Sequence, residues 1–156
     1  MIKSLKIPGS YILDFTGRVR LGDMPELLLY DRLRDGRIMG LLAEDIVSHE
    51  FGGITRVKGN GASFDLIKAD DRMPIRLQCK SFNGTSVDLA PSYMKGKGRK
   101  FNFDLFMEYC ESFDAWLFID IAAFPKLIVH AVTMDTVMRM AQVTESSAKL
   151  RMSTFK

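Results

Sequence analysis

The chain has 156 residues, which favours one domain of about 100–200 residues and leaves no room for separate catalytic and recognition units. Lys and Arg number 22 against 19 Asp and Glu, a net charge of +3, so a polycationic tail is excluded. With 47% hydrophobic and 26% charged residues the chain can build a core, and intrinsic disorder is excluded with it.

Two cysteines, Cys79 and Cys110, and two histidines, His49 and His130, show no C-x-x-C or H-x-x-x-H spacing, which argues against a structural zinc module or a disulfide scaffold. The first residues lack an apolar leader core, and the most apolar stretch, Ala115 to Phe124, is too short for a bilayer and contains Asp120. A cytoplasmic protein without a membrane segment is expected.

In chain order, Tyr11 to Leu21 alternates loosely around Gly17 and reads as a hairpin or edge structure. Asp23 as cap, Pro25 in the first turn and Glu26 as a capping-box carboxylate predict a short helix to about Arg34, stopped at Gly36. A second helix is predicted over about Arg37 to Phe51, with Ile38, Leu41, Leu42 and Ile46 on its buried face and Gly52-Gly53 ending it. The period then changes to two. Ile54 to Lys58, Phe64 to Lys68 and Ile75 to Lys80 read as strands, with turns at Gly59-Asn60-Gly61 and Asp70-Asp71-Arg72, so they form an antiparallel meander.

Asp88 to Lys100 is expected as a Gly- and Lys-rich loop. Asn102 caps a helix with Phe103, Phe106, Met107 and Cys110 on one face. Ala115 to Ile121 and Leu127 to Val132 are two further strands, and Thr133 or Asp135 opens a last helix to about Gln142. The layout is α/β, a sheet covered by helices. One domain spans 1–156, with a core of about 37–142, and with an N-terminal hairpin and helix (1–36) and a C-terminal tail as peripheral additions.

Side chains alternate along a strand, so Gln78 and Lys80 share a face, and a neighbouring strand brings Asp65 to them when the register fits. Glu44 on the preceding helix can add a second carboxylate. Hard oxygen ligands of this kind suit Mg²⁺, and a lysine beside them can stabilise or deprotonate the water that attacks a phosphodiester. Lys95-Gly96-Lys97-Gly98-Arg99-Lys100 is the densest positive charge in the chain. Lys95, Lys97, Arg99 and Lys100 are candidate DNA phosphate contacts. His49 reads as a surface helix residue and His130 as a partly buried strand residue with a satisfied ring. The ten methionines, Met134, Met138 and Met140 among them, read as core or interface filler, and Trp116 as a core anchor.

Gly61-Ala62-Ser63-Phe64-Asp65-Leu66-Ile67 and Ile75-Arg76-Leu77-Gln78-Cys79-Lys80-Ser81 resemble the two halves of the motif of the PD-(D/E)XK nuclease superfamily. The likeness is to its Mrr-like restriction endonucleases, which use Gln in the second half, and also to Holliday junction resolvases and compact homing endonucleases. It covers about Arg37 to Val132 and implies a restriction endonuclease-like core, a mixed sheet with a three-stranded antiparallel meander flanked by helices. It implies catalytic roles for Asp65, Gln78, Lys80 and Glu44, and a Mg²⁺ ion, replaceable by Mn²⁺, held by Asp65, Gln78, the Cys79 carbonyl and Glu44. Two departures stand out: no proline precedes Asp65, and Gln78 coordinates a metal more weakly than an acid. Asp45 and Glu50 are the other candidates for the helix acid.

The expected function is Mg²⁺-dependent DNA endonuclease, of restriction or homing type. A junction resolvase or a repair nuclease is the alternative, and an inactive DNA-binding or assembly protein is the rival of another class. Cutting both strands with so small a unit calls for a homodimer or larger homo-oligomer, with the N-terminal hairpin and the Met-rich C-terminal helix as candidate interfaces.

Overall fold

The computed structural model describes residues 2–58, 63–95 and 97–155. The turn expected at Gly59-Asn60-Gly61, the start of the first motif half and Gly96 lie outside the described residues. The protein is mixed α/β, and among the described residues it has four α-helices and a six-stranded mixed sheet. Along the chain run β1 (Gly9–Asp14), α1 (Glu26–Leu33), α2 (Gly36–Glu50), β2 (Ile54–Arg56), β3 (Leu66–Lys68), β4 (Ile75–Phe82) and β5 (Ser86–Asp88). They are followed by α3 (Phe103–Glu111), β6 (Ala115–Asp120), β7 (Lys126–Thr133), α4 (Met134–Met140), β8 (Gln142–Val143) and β9 (Ala148–Arg151). The large sheet has the order β1-β7-β6-β4-β3-β2, in which only β4 and β6 are parallel. The chain returns to that parallel position through α3, as a parallel pair requires a long crossover. β5, β9 and β8 form a small second sheet.

Strand alternation splits the core in two. Leu77, Leu117, Ile119 and Val129 face one side of the sheet, where Met39, Ala43 and Val47 of α2 pack. Trp116, Phe118 and Val132 face the other, against Phe106 and Cys110 of α3 and the β5–β9 sheet. Trp116 is fully buried, as a core anchor should be. No helix among the described residues is long and apolar enough to cross a membrane.

Several local expectations are corrected. Of the hairpin or edge structure expected at the N-terminus, the edge is found and the hairpin is not: β1 is an edge strand of the large sheet, paired in full with β7, because Leu13 gains a buried place beside Leu127. Val19 and Leu21 lie in irregular chain. Asp23 does not cap α1. Pro25 occupies the cap position without a side-chain bond, and the Glu26 carboxylate accepts instead from the Gly17 N–H at 2.9 Å and from the Tyr30 hydroxyl. Gly36 starts α2 rather than stopping α1, since the Asp35 carboxylate caps α2 by accepting from the Arg37 N–H.

The buried stripe of α2 is Met39, Ala43 and Val47, while Ile38, Leu41 and Leu42, expected inside, are exposed. Both stripes have helical spacing, and the smaller residues allow the closer approach to the sheet. The 88–100 segment is not wholly loop, since β5 ends at Asp88 and a 3₁₀ turn covers Ser92–Met94. Phe103 of α3 is exposed, and Tyr109 takes its place in the core. The expected C-terminal tail supplies β9, whose Ala148 and Leu150 are fully buried in the second core.

Candidate active site

The β3–β4 ladder pairs Leu66 with Leu77, and one step further along Asp65 comes opposite Gln78. β3 ends there as a regular strand, so the Asp65 carboxylate reaches into the ladder and accepts the Cys79 N–H at 2.8 Å in place of a backbone carbonyl. The same oxygen accepts from the Gln78 amide, whose Nε2 also lies 3.5 Å from the Cys79 carbonyl. Gln78 is buried, as its match with Trp116 on β6 dictates. Lys80, two residues on, stays on that face and donates to the Ala90 carbonyl at 3.1 Å.

Glu44 comes from α2, where Ala43 and Val47 seat the helix against the sheet. Its carboxylate accepts from Arg56 Nε at 2.9 Å, and the same guanidinium bonds Asp45 through Nη1 at 2.9 Å. Arg56 ends β2 opposite Leu66, one residue from Asp65. It was not among the residues singled out by sequence. The signal was present, because the meander register places it beside the motif, but an arginine in a short strand has no distinctive spacing.

The electrostatics are those of a crowded, partly dry site. Burial pushes the Asp65 carboxyl above its ordinary range, against the pull of the Cys79 N–H, Lys80, Arg56 and Gln78. Burial and then the charge of Asp65 raise Glu44, with Arg56 opposing. Burial and then the nearby Lys95 lower the Lys80 amine to about 8, with Asp88 and Asp65 opposing. Asp65 is therefore the residue the others share: Gln78 bonds it, and its charge couples to Lys80 and to Glu44. Of the other two helix acids, Asp45 shares the Arg56 guanidinium with Glu44, and Glu50 pairs with Arg18 at 3.5 Å. The Cys79 thiol is buried, and burial raises it well above its usual value.

Next to Lys80 an open groove of about 420 Å³ is lined by Lys80, Asn83, Ser86, Asp88 and Lys95. Lys95 pairs with Asp88 at 3.3 Å, and Arg99 donates to the Ser92 carbonyl at 2.8 Å, so both hold the loop itself. Lys97 and Lys100 are exposed. His49 is exposed and His130 is buried, its Nδ1 2.9 Å from the Ser10 hydroxyl.

No family model, curated protein or solved structure matches the chain. The site is read from its own chemistry.

That chemistry includes a test for a cation. Among the described residues no three His, Cys, Asp or Glu side chains converge as a metal-binding group. The oxygen set is two carboxylates, with the Gln78 amide and the Cys79 carbonyl beside them. Each carboxylate is raised by burial, and Glu44 also by the charge of Asp65, which is the imbalance a divalent cation relieves. Arg56 supplies part of that positive charge and holds Glu44. The residues fit a weakly held hard cation better than a tightly bound structural one.

Proposed function

We propose that the protein is a metal-dependent DNA endonuclease with a restriction endonuclease-like core, hydrolysing phosphodiester bonds as a homo-oligomer. The observation that carries this reading is the Asp65 carboxylate at one end of the β3–β4 ladder, bonded by Gln78 and the Cys79 N–H and coupled by charge to Lys80, whose amine is lowered to about 8, and to Glu44, whose carboxyl it raises. That is the residue set the PD-(D/E)XK resemblance implies, drawn from three separate places in the chain: α2, the residue that precedes β3, and β4.

Asp65 and Glu44 would hold Mg²⁺ or Mn²⁺, with Gln78 and the Cys79 carbonyl as further oxygen donors. When bound, the ion supplies Lewis-acid stabilisation of charge developing on the phosphate. Gln78 and the Cys79 N–H fix the direction of the Asp65 carboxylate. Lys80, with its amine near neutrality, can take a proton at Nζ from the attacking water, and in its charged form it offsets the phosphate negative charge. Exposed Lys97 and Lys100 would contact a phosphate directly, whereas Lys95 and Arg99 first have to leave their partners on the protein.

The test is cleavage of plasmid and of a synthetic four-way junction with Mg²⁺ or Mn²⁺, by the wild type and by Lys80→Ala and Asp65→Asn. Discrete ends on long mixed-sequence DNA indicate a restriction or homing role, and cutting confined to the junction indicates a resolvase. No cutting of either substrate, or cutting that both substitutions leave intact, overturns the nuclease reading. The second reading, a binding protein that keeps the fold without catalysis, is favoured by two observations: Arg56 already occupies Glu44, and Gln78 stands where an acid is stronger.

A further inference from the structure

The register of the large sheet aligns two rows of side chains on one face. Ser10, His130, Phe118 and Lys80 are partners across β1, β7, β6 and β4, and Ile12, Ile128, Asp120 and Phe82 form the next row on the same side. The 3₁₀ turn Met152–Phe155 roofs the outer part of both rows, with the Phe155 ring 5.7 Å from that of His130. Between roof and strands lies a cavity of about 360 Å³. Small-molecule sites run from about 300 to 1,000 Å³, so this one suits a single compact ligand.

Two polar groups of the wall have bonding capacity to spare. His130 is only 8% exposed, and its Nδ1 lies 2.9 Å from the Ser10 hydroxyl, whereas no bond reaches Nε2 among the described residues. The ring is thus satisfied on one side only. Trp116 Nε1 is the one sealed polar side-chain atom without a partner among those residues, so the His130 Nε2 is not sealed and opens to the cavity. Asp120 accepts the Ala122 N–H through Oδ1 at 2.9 Å, and no bond reaches its second oxygen among the described residues. Burial lowers the His130 pKa from its ordinary value, with Asp120 opposing, so the ring is neutral at pH 7. Asp120 is then the one charged side chain in the wall.

Asp120 and His130 are diagonal neighbours on adjacent strands, about 7–8 Å apart, so their polar ends can serve one edge of a ligand. That edge must offer a hydrogen-bond donor to the carboxylate. Ile12, Ile128 and Phe155 supply apolar sides for a flat ring. The cavity also shares Phe82 and Gly84 with the groove that holds Lys80 and Lys95, which sets cations where a phosphate attached to that ring would lie.

We propose that this cavity binds the amino-bearing base of a nucleotide, with the exocyclic amine donating to Asp120 and a ring nitrogen accepting from His130 Nε2. The Ser10 hydroxyl then donates to Nδ1 and holds that tautomer. An oxo group in place of the amine sets an acceptor against the carboxylate and is rejected. A free nucleotide and an unstacked base of a bound strand share this chemistry. The inference concerns binding and stands apart from cleavage.

Calorimetric titration of the full chain with AMP, in EDTA at pH 7, is expected to show saturable binding at one site, with IMP about tenfold weaker. Asp120→Asn puts an amide there, which can donate as well as accept, and is expected to erase or reverse that preference. Ile12→Trp, on the exposed edge strand, fills the cavity and is expected to abolish binding with an unchanged far-ultraviolet circular dichroism spectrum. Binding of AMP assigns the cavity to a free nucleotide. If AMP does not bind, a thymidine oligonucleotide with one adenine that binds about tenfold tighter than its hypoxanthine counterpart, through Asp120, assigns it to a strand. No preference for the amino-bearing base in either form, a preference that Asp120→Asn leaves unchanged, or full binding by Ile12→Trp overturns the proposal.

Discussion

Replacing Lys80 by Met is expected to stabilise the metal-free protein at neutral pH, although it removes a hydrogen bond. The folded-state amine is lowered from 10.5 to about 8, chiefly by burial. Below pH 8 both folded and unfolded chains carry the proton, and the folded one bears a poorly solvated charge. Between pH 8 and 10.5 the unfolded chain binds more protons, so stability rises with pH through that window and is lost again as pH falls through 8. At about 1.4 kcal/mol per pH unit, the fall from 10.5 to about 8 corresponds to about 3 kcal/mol. Methionine removes that charge but leaves the Ala90 carbonyl without its donor, a loss of about 1 kcal/mol. The net gain is about 2 kcal/mol at pH 7, shrinking to about 1 kcal/mol near pH 9 as the wild-type lysine loses its proton. Urea unfolding in EDTA from pH 6 to 9, with unchanged m-values, measures it. A variant less stable than wild type at pH 7, or a difference that does not change with pH, refutes the reasoning.

Asp65 has a raised folded-state pKa, so its contribution to stability is full in acid and is lost as pH rises through that value. Asp65→Asn, which keeps an acceptor for the Cys79 N–H, is therefore expected to raise the metal-free unfolding midpoint at pH 7. The same variant is expected to abolish the stabilisation that Mn²⁺ gives the wild type, and thermal unfolding with and without the ion checks both. Arg56→Met frees Glu44 and is expected to tighten Mn²⁺ binding in a calorimetric titration; weaker binding contradicts the view that Arg56 and the ion compete for that carboxylate. Leu66, fully buried beside Leu77, is expected to cost about 2–5 kcal/mol on replacement by Ala, read from denaturant unfolding.

The meander was legible because strand alternation and turn residues agree, and its register then brings Asp65 opposite Gln78 with no further information. α3 and its Asn102 cap were legible for the same reason: the Asn102 carboxamide accepts the Leu105 N–H at 3.0 Å, as the local pattern implies. α2 shows where periodicity stops being informative. Its two aliphatic stripes both satisfy helical spacing, and only the approach of Leu77 and Leu117 from the sheet decides in favour of Met39, Ala43 and Val47. The pairing of β1 with β7 spans more than a hundred residues and has no local mark. Arg56 was hidden for a similar reason, because it reaches Glu44 and Asp45 across a helix–strand contact. Asp88 to Lys100 reads as a Gly- and Lys-rich loop, yet Leu89, Ala90 and Met94 within it are buried, and short strands such as β5 and β9 carry too few residues for a period to emerge.

The most direct measurement of the central claim is the initial rate of supercoiled plasmid cleavage by the full chain in Mg²⁺, from pH 6 to 9, beside Lys80→Ala. The account predicts cleavage that EDTA abolishes, a rate that rises toward a plateau above pH 8 as Lys80 loses its proton, and a loss of at least about a hundredfold in the variant. Cleavage that persists in EDTA, or a variant that cuts as fast as the wild type across the same range, contradicts it.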